Sequence, residues 1–181
     1  MANRPTARKV LAKGKYLRLV RDGKWEIAER VNAAGVVAVV AVTDAREFVL
    51  TDQFRRAVGC HVIDLPAGLS GDLVGQKDEP GAMAARRELK EETGFSASQF
   101  HHLADCPSSP GLTSEVVSYF MADGLQRVGA GGGVENEKIE VHLPKLRSIK
   151  KWLLGQAALG KLIDPKVYVG LYFITRDRRR S

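Results

Sequence analysis

The sequence is poor in the residues that soft-metal and redox chemistry require. It has two cysteines, Cys60 and Cys106, neither with a second ligand at metal spacing, and four histidines that complete no Cys/His zinc pattern. Both thiols read as reduced and idle. His101 and His102 are adjacent, so they cannot share one face of a strand or helix. Aromatic residues make up only 7% and nowhere interleave with basic runs, so nucleic acid is not the expected partner. The longest apolar run, "GVVAVVAV" at 35–42, is far too short to cross a bilayer. The basic start "MANRPTARKVLAKGK" has no apolar segment after it and does not read as a secretory signal. The expectation is a cytoplasmic protein with no membrane association. No G-x-S-x-G nucleophile elbow occurs. "GQAALGK" (155–161) begins like a P-loop, but Leu162 stands where Ser or Thr is required and no strand precedes it. There is no internal repeat.

What remains is a globular chain. Its 181 residues suit one domain, with 44% hydrophobic and 27% charged residues. The net charge of +7 favours phosphate-bearing ligands. Much of the excess lies in the first 15 residues and in the tail "RDRRRS" (176–181), which reads as solvated.

Periodicity and turn chemistry give an α+β order. "YLRLVRDGKWEIAERV" (16–31) reads as a hairpin turning at Asp22-Gly23. Residues 35–42, 47–54, 61–68, 115–122 and 138–143 read as strands, and 68–78 as loop. Pro80 opens a helix that runs to Thr93 and stops at Gly94. Residues 144–161 suggest an amphipathic helix with Leu146, Ile149, Leu153 and Leu154 on one side, and a last helix covers 165–175.

The helix ending at Gly94 carries an electrostatic contradiction. "RRELKEETGF" (86–95) places Glu88, Glu91 and Glu92 at i, i+3 and i+4, on one face of its last turns. A helix C-terminus carries partial negative charge, so each such carboxylate costs roughly 0.3–1 kcal/mol. Arg87 lies four residues before Glu91 and offers a structural partner, and a solvated acidic face is the alternative. A divalent cation resolves the conflict better: Mg²⁺ prefers carboxylate, phosphate and water oxygens and turns the repulsion into attraction.

"EPGAMAARRELKEETGF" (79–95) resembles the core of the Nudix box, G-x5-E-x7-R-E-U-x-E-E-x-G-U, from Glu79 through Arg87, Glu88, Leu89, Glu91, Glu92 and Gly94. Phe95 is aromatic where the pattern has an aliphatic residue. The first glycine is displaced: strict spacing puts Leu73 there, and Gly68 lies five residues early, so 69–78 reads as a lengthened loop. "LTDQFRRAVGCHVIDLPAG" (50–68), "SSPGLTSE" (108–115) and "ENEKIEVH" (135–142) are similar to segments flanking the box in ADP-ribose and nucleoside-diphosphate-sugar pyrophosphatases.

The resemblance implies an α/β/α sandwich with a mixed central sheet and a small N-terminal antiparallel sheet. It divides the chain into a hairpin region (1–34) that forms a homodimer, a hydrolase domain (35–175) and the basic tail. It implies Mg²⁺, with Mn²⁺ as an alternative, held by Glu88, Glu91, Glu92 and the Ala67 carbonyl. Arg87 would pair with a box glutamate. Arg55, with Arg56 a weaker candidate, would hold a phosphate of a nucleotide-sugar, and Pro110 belongs to the substrate-side segment. The glycine-rich stretch "VGAGGGVENE" (128–137) would be a lid bringing Glu135 or Glu137 to the attacking water. Trp25 would stack on the base with Arg30 on the same ligand; packing in a core or interface is the other reading of Trp25. RNA 5′-end or dinucleotide pyrophosphohydrolysis and a non-catalytic nucleotide-binding module are the alternatives to sugar-nucleotide hydrolysis.

Overall fold

A computed structural model describes residues 8–72, 78–134 and 137–177. Three antiparallel strands open it: β1 (Lys9–Lys13), β2 (Leu17–Asp22) and β3 (Trp25–Arg30), with β2 central. The hairpin forms, but it turns one residue later than expected, at Gly23-Lys24 between the paired Asp22 and Trp25, with Gly23 at φ 59°. β1 was not anticipated; its short "KVLAK" is largely exposed and carries no periodic signal.

Two mixed four-stranded sheets follow. The first has the order β7-β4-β9-β8, from β4 (Gly35–Ala41), β7 (Ala67–Ser70), β8 (Phe95–Pro107) and β9 (Val116–Arg127). The second has the order β10-β5-β6-β11, from β5 (Leu50–Arg55), β6 (Cys60–Asp64), β10 (Ile139–His142) and β11 (Leu162–Ile163). β4 pairs in parallel with β9, and β11 with β6; the other pairings are antiparallel. The helices are α1 (Gly81–Thr93), α2 (Ile149–Ala158) and α3 (Pro165–Asp177).

β4 is buried on both faces, which is why its run is continuously apolar. Val37, Val39 and Ala41 pack with Ala84, Ala85 and Leu89 of α1. Ala38 and Val40 face the other way, into a cluster with Phe48, Leu50, Leu153 of α2, and Val167 and Ile174 of α3. Helices thus cover both sides of the central strand, the expected α/β/α sandwich.

Three local expectations change. The helix expected over 144–161 is a 3₁₀ turn (Leu146–Ser148) followed by α2. Leu153 is buried but Leu154 is 63% exposed, because neighbouring helical residues point about 100° apart and α2 buries only a narrow stripe. The strand expected over 61–68 breaks at Leu65–Pro66, since proline has no N–H for a ladder. β8 was not anticipated, and β9 runs five residues past its expected end at 122. Their long ribbon has a bulge between His102 and Ala104, and the outward residues of β8 are polar, which hides its alternation.

Candidate active site

α1 brings its carboxylates inward because its apolar stripe is clamped on β4. With Ala84, Ala85 and Leu89 fixed there, Glu88 and Glu92 turn toward the start of β7. Glu92 Oε2 accepts the Ala67 N–H at 3.0 Å. The Glu88 carboxylate rests on Gly68, where any Cβ would overlap it. A side chain at 68 would therefore have to displace that carboxylate.

Arg87 fastens this arrangement. Its guanidinium donates to Glu88 Oε1 at 2.7 Å, to both oxygens of Glu79 at 3.3 and 3.2 Å, and to the Leu69 carbonyl at 2.8 Å. Glu91 Oε2 lies 3.5 Å away and stays one-third exposed. Arg87 thus bridges the start of the box, its middle and β7. Its planar fork suits several acceptors at once.

The glycine-rich segment explains how the helix end tolerates its acidic residues. Gly94 ends α1 at φ 71°. The N–H groups of Gly132 and Gly133 then donate to the carbonyls of Glu92 and Glu91, at 2.8 and 3.0 Å. Orphan carbonyls of the last turn are capped by backbone donors. The described part of the expected lid is therefore docked on α1, and its glycines permit that approach: a Cβ on Gly94 would overlap the Gly129 carbonyl.

The two inward carboxylates are poorly solvated. Burial, foremost, pushes the Glu88 pKa up to about 7 against the pull of Arg87. Burial likewise pushes Glu92 up to about 8, with Glu88 and Asp64 adding to it and the Ala67 N–H opposing it. Glu91 completes a set of hard oxygen donors with them. Buried, mutually repelling carboxylates on a rigid scaffold fit a hard divalent cation, which removes the cost of ionising them. The donors fit Mg²⁺ far better than a thiophilic ion.

Opposite α1, the cleft of about 790 Å³ is lined by cations. Arg55 and Lys166 both face Asp64 Oδ2, at 3.7 and 3.0 Å, and Arg30 pairs with Glu115 at 2.7 Å. Burial raises the pKa of Asp64 while Lys166 opposes it. Glu137 also lines the cleft, its Oε2 accepting the Val134 N–H at 3.1 Å.

Of the residues singled out from sequence, Ala67, Arg87, Glu88, Glu91, Glu92, Glu137, Arg55 and Arg30 meet in this cleft. Glu135 lies outside the described residues, as do 73–77 of the lengthened loop. Trp25 and Pro110 do not line the cleft. Trp25 is 65% exposed, so packing in a core of its own chain is excluded. It stands at the opposite end of β3 from Arg30, roughly 16 Å away at strand rise, so within one chain the two do not share a small ligand. Asp64 and Lys166 were missed. A charged residue ending the apolar "HVID" was the available signal for Asp64; Lys166 had none, because only the fold sets the first turn of α3 beside β6.

The NUDIX domain family matches residues 32–158. An ADP-ribose pyrophosphatase of Mycobacterium tuberculosis (strain ATCC 25618 / H37Rv) is 40% identical over 101 residues, covering 56% of this chain and 47% of that protein. A GDP-mannose pyrophosphatase of Escherichia coli O1:K1 / APEC is 33% identical over 149 residues, covering 77% and 74%. A methanol dehydrogenase activator of Bacillus methanolicus is 30% identical over 117 residues, covering 65% and 60%. The chain thus spans about half to three-fifths of several of these relatives. A solved structure described as an ADP compounds hydrolase superposes with a TM-score of 0.69 at 19% identity, covering 98% of this chain and 95% of that one.

Proposed function

The chain belongs to the NUDIX domain family, and from that membership we propose that it hydrolyses the diphosphate of a nucleoside-diphosphate-sugar, with ADP-ribose and GDP-mannose as first candidates. The products are a nucleoside monophosphate and a sugar phosphate. One observation carries this reading: a buried carboxylate pair, Glu88 and Glu92, faces Arg55 and Lys166 across a cleft of about 790 Å³. That volume suits a nucleotide-sized ligand. The names of the pyrophosphatase relatives point the same way.

Glu88, Glu92, Glu91 and the Ala67 carbonyl would hold Mg²⁺, or Mn²⁺ in its place. The ion would offset the charge of the diphosphate and make a phosphorus centre more electrophilic. The chain's own groups do the rest. Arg55 binds a phosphate oxygen with its fork, and Lys166 adds a point charge beside it; Asp64 holds both in place. Arg87 keeps Glu88 in its rotamer. Glu137 accepts a proton from water as the water oxygen adds to phosphorus and the bridging P–O bond breaks. Glu135 is the alternative base. Arg30 reaches the cleft from β3 and supports the nucleotide end.

The N-terminal sheet suggests a homodimer. Val10, Tyr16, Leu17 and Trp25 are at least half exposed, an unusual apolar display for so small a sheet. A second copy would cover them and set Trp25 against the base of the partner's ligand, which accounts for its distance from Arg30. Among the described residues no helix is long and apolar enough to cross a membrane.

The test is a panel of ADP-ribose, GDP-mannose, UDP-glucose, NADH, diadenosine polyphosphates and 5′-triphosphate RNA, assayed with and without Mg²⁺, with both products identified. Metal-dependent cleavage of a sugar nucleotide to a monophosphate and a sugar phosphate supports the reading. Turnover of RNA or diadenosine polyphosphates alone would replace it.

A further inference from the structure

Behind the cleft, on the other face of the second sheet, lies a cluster that hydrolysis does not use. Side chains alternate along β5: Gln53 and Arg55 line the cleft, so Asp52 points to the opposite face. The Asp52 side chain is 1% exposed. Its Oδ1 lies 2.7 Å from His61 Nδ1, and its Oδ2 lies 3.4 Å from His142 Nε2. Glu140 stands directly across from Asp52 in β10. One donor atom from each of Asp52, Glu140 and His142 lies within 4.8 Å of the others, so a small closure brings all three onto one ion.

The spot already holds a positive group. The Lys161 ammonium already sits 2.6 Å from Asp52 Oδ2, a positive group standing among the donors. Its side chain is 23% exposed and flexible, so it can turn out to solvent. From α2, Trp152 lies 5.2 Å from the His142 ring and restrains it. The donor set of imidazole and carboxylates favours zinc-type ions over Mg²⁺.

We propose that Asp52, Glu140 and His142 form a second cation site, separate from the cleft, that takes a zinc-type divalent ion in exchange for the Lys161 ammonium. His61, bonded to the other Asp52 oxygen, orients that carboxylate. The site stands whether or not the cleft is hydrolytic.

The experiment measures Zn²⁺ binding to the full chain by calorimetry in excess Mg²⁺, with Co²⁺ absorption as a report of coordination. A Cys60→Ser/Cys106→Ser background removes the thiols. One Zn²⁺ should bind despite the Mg²⁺, and equally well in Glu92→Gln, which disables the cleft. His142→Gln should weaken binding at least tenfold. Lys161→Met, which removes the competing cation, should strengthen it at least tenfold. The proposal is overturned if binding disappears in the thiol-free background, if Mg²⁺ competes it away, or if either His142→Gln or Lys161→Met leaves the affinity unchanged.

Discussion

Glu92→Gln should make the metal-free protein more stable at alkaline pH while removing its response to metal. Glu92 titrates near 8 in the folded state against 4.5 for a free glutamate, and burial is the main cause. A carboxylate whose folded pKa is raised binds more protons folded than unfolded between those values. Stability therefore falls as pH rises from about 4.5 to about 8, and the loss is complete above that. The full shift corresponds to roughly 5 kcal/mol; coupling to Glu88 and local relaxation reduce what Gln recovers to about 1–3 kcal/mol. Gln keeps an oxygen for the Ala67 N–H, so the fold is retained. For a chain of this size that gain is about 3–9 °C in Tm. Thermal melts in EDTA from pH 6 to 9 are the assay. The variant should melt higher than the parent at pH 8.5, with the gap narrowing as pH falls toward 6 and folded Glu92 takes up its proton. Adding Mg²⁺ at pH 8.5 should raise the parent and leave the variant nearly unmoved. A pH-independent gap, or a variant less stable than the parent in EDTA at pH 8.5, would refute the reasoning.

Arg87→Lys should lose about 2–4 kcal/mol of stability, read by denaturant unfolding, because an ammonium cannot serve Glu79, Glu88 and the Leu69 carbonyl together. Gly68→Ala should raise the Mg²⁺ concentration needed for half-maximal turnover at least tenfold by displacing the Glu88 carboxylate, with circular dichroism unchanged. Glu137→Gln should lower kcat by roughly 10²-fold or more with KM little altered; a larger loss in Glu135→Gln would assign the base to Glu135 instead. Arg55→Ala should act mainly on KM, which steady-state kinetics on the preferred substrate would show.

The sequence disclosed the site better than the sheet around it. Arg87, Glu88, Glu91 and Glu92 lie on one helix, where fixed spacing translates directly into shared geometry, and Glu79 stands just before its start. β4 was legible because burial on both faces leaves a continuous apolar run. β8 was not, because only its first residues are buried and the polar outward positions break the alternation. The partnership of Asp64 with Lys166 depends on a parallel pairing of β11 with β6, which no local pattern encodes. The glycines at 129–133 read as freedom of the backbone, whereas at Gly131 and Gly94 they serve close packing on the end of α1.

We infer that the buried pair Glu88 and Glu92 equips this cleft for metal-dependent diphosphate hydrolysis. The most direct test compares parent and Glu92→Gln on ADP-ribose and GDP-mannose with Mg²⁺, both proteins shown to be folded. The parent should turn over substrate in a way that EDTA abolishes, and the variant should lose at least 10²-fold in kcat. Turnover that survives EDTA, or a variant as active as the parent, would contradict it.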